Sequence, residues 1–267
     1  MRERNNIFFF YKKDEAIHEK AEKLKQLAAQ SGFRIVEDQK EANIIASIGG
    51  DGSFLQAVRK TGFREDCLYV GINASVDTGF YCDFHIDDHS GMIDAMKNEQ
   101  IEVRKYPALS VNIDGQGSFY CLNECSIRSS VITTLEIDVF IDDFYFETFR
   151  GDGMIISTPT GSSAYNKSVN GAVVDPMLAC YQISELASLN NNQYRTLGSS
   201  FILSNNRKMT FKIKQENSQT YPIIGMDNEA MSIKHCKSMS FEITDKRIKT
   251  VKLKDNSFWH KVKRSFL

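Results

Sequence analysis

Residues 43–58 read Asn-Ile-Ile-Ala-Ser-Ile-Gly-Gly-Asp-Gly-Ser-Phe-Leu-Gln-Ala-Val. The apolar run 43–48 has the pattern of a strand buried on both faces. The spacing of Phe54, Leu55 and Val58 suits a short helix over 54–60. A strand, a glycine-rich turn and a helix gather backbone N–H groups and a helix N-terminus at one point, which favours phosphate. Ser53 and Gln56 have the S-x-x-Q spacing of a capping box, which would leave Asp51 free for chemistry. The residues alone leave a second reading open, in which Asp51 caps the helix and the glycines only make the turn.

Outward from this turn, strands and helices alternate. Residues 7–11 suit a strand, Asp14 to Gln30 an amphipathic helix stopped at Ser31-Gly32, 33–36 a second strand and 67–72 a further buried one. Alternation of this kind predicts an α/β domain with a parallel sheet and a ligand site at the strand carboxyl ends. After Pro107 the chain changes to short alternating segments with turns at Asp114-Gly115 and Asp142-Asp143, which predicts antiparallel β structure. The expected division is an α/β domain over 1–104 and a β-rich domain over 105–251. A tail over 252–267 would pack back on the first. Asp175-Pro176 suggests one helix running towards Leu189.

The chain of 267 residues is 42% hydrophobic and 25% charged, with net charge −1. That balance gives no global field for nucleic acid or an anionic membrane, and no apolar run is long enough to span a bilayer. Six cysteines without a C-x-x-C pattern suit reduced thiols in a cytoplasmic protein. The cluster His85-Ile86-Asp87-Asp88-His89 holds four possible metal ligands, but aspartates at a helix start more often cap it. P-loop, G-x-G-x-x-G and G-x-S-x-G signatures do not occur, which argues against a conventional dehydrogenase or serine hydrolase.

Four polar clusters interrupt the strands: Asn123-Glu124, Arg150-Gly151-Asp152-Gly153, Ser157 to Ser168, and Met226-Asp227-Asn228-Glu229. The third is dense in Ser, Thr and Gly and offers hydroxyls and amides to sugar or phosphate oxygens, with Tyr165 able to stack on a base. Together they suggest a phosphate-bearing ligand, a carboxylate base and a divalent cation in place of a P-loop lysine.

Gly49-Gly-Asp-Gly-Ser53, Asn123-Glu124, Arg150-Gly-Asp-Gly153, Thr158-Pro-Thr-Gly-Ser-Ser-Ala-Tyr-Asn-Lys-Ser168 and Asp227-Asn228 occur in the order seen in NAD kinases. The chain resembles that family, most of all the second isoform of the Bacillus type, over nearly its whole length, including the tail at 252–259. GGDG alone is shared with lipid and sugar kinases; the T-P-T-G-S-S-A-Y segment is far more specific. The resemblance implies a GGDG-kinase α/β domain that handles the phosphate donor and a β-rich domain that binds the dinucleotide. It implies ATP-dependent phosphorylation of the adenosine-ribose 2′-hydroxyl of NAD, with Asp51 as general base and Mg²⁺ as cofactor. Gly49, Gly50, Gly52 and Ser53 would form the phosphate-donor loop. Asp51, Gly52, Phe80, Tyr81, Asn123, Glu124, Arg150, Asp152, Ser163, Ala164, Tyr165, Asn166, Lys167, Ser168, Ala187 and Asn228 would match dinucleotide-binding positions. A homotetramer is implied as well.

One stretch departs from the family. Its N-x-G-x-L-G-F loop reads Asn73-Ala-Ser-Val-Asp-Thr-Gly-Phe-Tyr81, one residue longer and without the first glycine. Phe80 and Tyr81 would keep the base-facing role. The rival readings are a lipid or sugar kinase of the wider GGDG group, and a non-catalytic NADP(H)-binding regulator.

Overall fold

A computed structural model describes residues 5–12, 14–75, 79–115, 117–130, 133–214, 222–231 and 236–267. They form two compact units, residues 1–106 with 247–267, and residues 107–246.

In the first unit, β1 (Asn6–Phe10) leads to α1 (Glu15–Gln30), whose N-terminus is capped by Asp14 through the amides of Ala16 and Ile17. β2 (Arg34–Ile35), β3 (Ile44–Gly49), α2 (Asp51–Lys60), β4 (Leu68–Asn73), β5 (Cys82–His85) and α3 (His89–Lys97) follow. β2, β1, β3 and β4 are hydrogen-bonded in that order and all parallel. The outer edge of β4 pairs with residues 249–251 along its first half and with β5 along its second. The order reverses between β1 and β3, the switch point at which doubly wound sheets bind ligands outside the strand carboxyl ends. Gly49 ends β3 there. Ile44 to Ile48 are all buried, as a strand covered on both faces requires. Asp88 caps α3 through the amide of Gly91, and Asp87 pairs with Lys20, so both aspartates of the His85–His89 cluster have structural partners. A helix over Phe258–Phe266 ends the chain.

The second unit is antiparallel. Its elements are β6 (Ile101–Ile113, entering from the first unit), β7 (Ser118–Cys121), β8 (Glu124–Arg128), β9 (Leu135–Ile141), β10 (Phe144–Gly151) and β11 (Gly153–Ser157). A 3₁₀ turn (Thr160–Ser163), α4 (Tyr165–Ser168), β12 (Cys180–Leu186), β13 (Phe201–Ser204), β14 (Met209–Lys214), β15 (Ile223–Met226), β16 (Glu229–Met231) and β17 (Ser238–Leu253) complete it. One sheet has the order β13-β12-β11-β8-β15-β16. A second joins β10, β9, β14 and the first residues of β17. Inward residues of both, among them Ile127, Ile156 and Tyr181 from the first and Val139, Phe211 and Phe241 from the second, make one core.

The helix expected from Asp175 to Leu189 does not form. Asp175 only makes a turn, accepting the amides of Met177 and Leu178, and residues 180–186 are β12. Period 2 overrides the helix-start signal, because Tyr181 and Ile183 fall on one strand face and both enter the core. The segment 119–130 is also two strands, interrupted at Leu122-Asn123. Among the described residues, no helix is long and apolar enough to cross a membrane.

Candidate functional site

The first constellation lies at the carboxyl end of β3. The capping box expected of Ser53 and Gln56 does not form: α2 starts at Asp51, Gly50 is its N-cap, and among the described residues no side chain caps it. Asp51 is thus the first helical residue, where a carboxylate sits well against the helix dipole. Its oxygens are held from elsewhere, Oδ2 by the amide of Phe80 at 2.6 Å and Oδ1 by that of Tyr81 at 2.8 Å. Gly79 is required beside it, since a Cβ there would overlap the Asp51 carboxylate. Gly49 is required for two reasons: its φ is 145°, and a Cβ would meet the side chain of Ser53.

Phe80 and Tyr81 meet Asp51 through their backbone, while their rings pack. Tyr81 is 3% exposed and stacks on Phe54 with ring centroids 4.8 Å apart. Phe80 lies against Phe258 and Phe266 of the C-terminal helix. A group that motif reading passed over sits behind them. Lys252 and Lys261 are both buried, and both reach the Phe80 carbonyl and the Asp83 carboxylate. Alternation could have flagged Lys252, which shares a strand face with the buried Ile248 and Thr250.

The second constellation, in the β-rich unit, surrounds the break between β7 and β8. The Asp227 carboxylate accepts the amides of Leu122 (3.0 Å) and Asn123 (2.7 Å) from the β15–β16 turn, where Asp227 has φ 53°. The carbonyls that the break exposes are taken by hydroxyls: Thr158 donates to Leu122 at 2.6 Å and Thr160 to the same oxygen at 3.0 Å. Gly161 lies so close to the Asn123 backbone that a Cβ would collide with its carbonyl. Glu124 follows the break and is 6% exposed; Oε2 has no hydrogen-bond partner among the described residues. Burial, with the Asp227 charge as the lesser cause, pushes its pKa up to about 8.

The segment 157–168 differs in character from the hydroxyl-presenting loop expected of it. It folds into the 3₁₀ turn and α4, and the hydroxyls of Thr158, Thr160, Ser162 and Ser163 all donate to backbone carbonyls within the unit. Asn166 is fully buried, receiving the Ser184 hydroxyl at 2.6 Å. Ala164 and Tyr165 are half-buried, and Lys167 and Ser168 are exposed. Arg128 lies over the Tyr165 ring at 5.9 Å. Arg150 donates to Glu136 at 2.7 Å and stacks on Tyr194 at 4.4 Å. Asp152 and Asn228 are exposed, and Ala187, also exposed, has φ 45°.

A doubly wound sheet with a carboxylate at its glycine-rich switch point, joined to a β unit built around polar strand breaks, defines the class: a two-unit enzyme that works on phosphorylated ligands. Comparison with known proteins narrows it. The family profile described as the ATP-NAD kinase C-terminal domain matches residues 122–253. NAD kinase 2 of Bacillus subtilis is 62% identical over 265 residues, covering 99% of both chains. NAD kinase 2 of Bacillus licheniformis is 63% identical over 267 residues, covering 100% of both. Among solved structures, an NAD kinase from Archaeoglobus fulgidus in complex with ATP matches 97% of this chain and 98% of its own at TM-score 0.74 and 21% identity. A yeast NADH kinase complexed with NADH matches 98% and 87% at TM-score 0.77 and 17% identity; at such identities the likeness is one of fold. The chain belongs to the NAD kinase family.

Proposed function

We propose that this chain transfers the terminal phosphoryl group of ATP to the 2′-hydroxyl of the adenosine ribose of NAD, giving NADP. The observation that carries the reading is the Asp51 carboxylate, fixed by the amides of Phe80 and Tyr81 at the end of β3. Asp51 accepts the ribose hydroxyl, orients it along the line of attack, and takes its proton as the O–P bond forms and the bond to the ADP oxygen breaks. Gly49, Gly50, Gly52 and Ser53 face the phosphates at the start of α2.

The first unit thus acts on the donor. The β-rich unit holds the dinucleotide through Asn123, Glu124, Arg150, Asp152, 163–168, Ala187 and Asn228. Phe80 and Tyr81 contribute amides to Asp51 in this scheme, since their rings are engaged in packing. Mg²⁺ takes most of its ligands from water and phosphate oxygens, with one or two carboxylates. Asp51 would suit that donor set, and the ion would neutralise charge on the transferring phosphate. Self-association to a tetramer and a cytoplasmic setting belong to the same reading; the six cysteines are all buried.

The test is NADP formation from NAD or NADH with ATP or polyphosphate, with Mg²⁺ or with a chelator. Turnover is expected with Mg²⁺ and abolished by the chelator. Asp51→Asn is expected to cut turnover to a small residual rate while calorimetric NAD binding persists. A folded Asp51→Asn protein running near the wild-type rate would overturn the base assignment, and tight dinucleotide binding without turnover in the wild type would favour a regulator. Sedimentation tests the tetramer.

A further inference from the structure

Behind the Asp51 clamp, the first unit buries two ammonium groups. Lys252, at the end of β17, is 1% exposed, and Lys261, on the C-terminal helix, is 2% exposed. Lysines are almost never fully buried, and each buried charge costs several kcal/mol unless well paired. The Lys252 Nζ donates to the carbonyls of Phe80 and Tyr81, both at 2.8 Å, and to Asp83 Oδ1 at 3.3 Å. The Lys261 Nζ donates to the carbonyls of Phe80 at 2.8 Å and Gly79 at 3.3 Å, and pairs with the same Asp83 oxygen. Asp83 has a fully buried side chain and accepts the Leu253 amide at 2.8 Å through its other oxygen.

Covalent geometry ties these contacts to Asp51. The carbonyl of Gly79 and the N–H of Phe80 are two ends of one planar peptide unit, as are the carbonyl of Phe80 and the N–H of Tyr81. The carbonyl ends of those two units face the ammonium groups, and the N–H ends face the Asp51 oxygens. Each unit is therefore polarised from one side and used from the other, an arrangement that strengthens both bonds. Two lysines, Lys252 and Lys261, thus lie with two carboxylates, Asp51 and Asp83, around the same two peptide units. Tyr81 places its ring 5.9 Å from the Lys252 ammonium, and Cys82 lies in the same electrostatic group.

We propose that Lys252 and Lys261 are positioning residues for Asp51, acting through the peptide units 79–80 and 80–81 to hold its carboxylate in the orientation that phosphoryl transfer needs. The proposal rests on the reading of Asp51 as the base. It explains why two charges are buried where an apolar pair would fold as well, and it gives the last residues of the chain a part in catalysis. Burial and the neighbouring Lys261 charge push the Lys252 pKa down to about 7, while Asp83, Asp51 and Cys82 oppose that fall. The pair therefore holds the loop at the expense of one strained ammonium.

The test uses the full-length chain carrying Lys261→Met, which keeps the buried stem and removes the charge, with Lys261→Arg as the charge-retaining control. Lys261→Met is expected to lower kcat on the order of 10- to 100-fold, as misplacement of a catalytic group does, with KM for NAD and ATP unchanged. Lys261→Arg is expected to recover most of that loss. Amide hydrogen exchange at Phe80 and Tyr81 is expected to speed up in Lys261→Met, while exchange in β1 and β3 stays as in the wild type. In an Asp51→Asn background Lys261→Met is expected to cost nothing further, because it acts through the missing group. Unchanged exchange at residues 80 and 81, or the same fold loss in both backgrounds, overturns the proposal. Should Asp51→Asn retain the wild-type rate, the base assignment falls, and the exchange data still decide whether the lysines hold the loop.

Discussion

The Asp227 carboxylate receives the N–H of Asn123 at 2.7 Å, from a residue 104 positions away in sequence. The same carboxylate takes the amide of Leu122, so one side chain closes the gap that the break between β7 and β8 opens. Asp227→Asn isolates this role, because asparagine tolerates the left-handed backbone at φ 53° and removes only charge and acceptor capacity. The expected loss is about 1 kcal/mol per weakened bond, read as a lower denaturation midpoint. NAD affinity is expected to fall with it, through Asn123 and Glu124.

Glu124 makes stability pH-dependent in the unusual direction for a carboxylate. Its folded pKa of about 8 lies above the ordinary 4.5. Between those values the folded chain binds more protons than the unfolded one, so this group's contribution falls as pH rises from 4.5 and levels off above 8. Glu124→Gln removes the buried charge at constant shape. Its stability relative to the wild type is expected to grow through that window, by about 2–5 kcal/mol at pH 9. Denaturant titrations of both proteins at pH 5 and pH 9 check this; an equal difference at the two pH values contradicts it. Asp227→Asn is expected to narrow the window, because the Asp227 charge contributes to the raised pKa.

Gly161 follows from the same break. Its missing Cβ leaves room for the Asn123 backbone, which cannot retreat because Thr158 and Asp227 hold it on either side. Gly161→Ala is expected to cost at least 1–3 kcal/mol, the scale of overpacking. The loss shows in thermal unfolding before any assay of activity.

The parallel sheet, the GGDGS turn and the β-rich second unit were legible because buried strands and glycine turns leave local patterns. What was misread depended on partners distant in sequence. The S-x-x-Q spacing at Ser53 implied a cap, yet Asp51 opens the helix, and its carboxylate is satisfied by residues 29 and 30 positions away. The hydroxyls of 158–163 looked available to a ligand, but Thr158 and Thr160 satisfy a carbonyl at a strand break far away in sequence, and Ser162 and Ser163 satisfy carbonyls of their own turn. Asp175-Pro176 imitated a helix start because cap chemistry also builds turns. The tail over 252–267 was expected to pack on the first domain, but only the fold shows that Lys252 and Lys261 are buried against Asp83.

Gly79 offers the most direct probe of the Asp51 clamp. A methyl group at this position would occupy the space of the Asp51 carboxylate, with both of its oxygens in the clash. The carboxylate can escape only by rotating off the amides of Phe80 and Tyr81. Losing those two bonds is expected to cost Gly79→Ala about 1 kcal/mol each, a modest fall in melting temperature. Its kcat is expected to fall on the order of 100-fold, the scale of misplacing a reacting group by about 1 Å. Steady-state rates beside a melting curve separate the two effects. A variant with wild-type kcat would mean that the amide-bound orientation of Asp51 is not the one used in transfer.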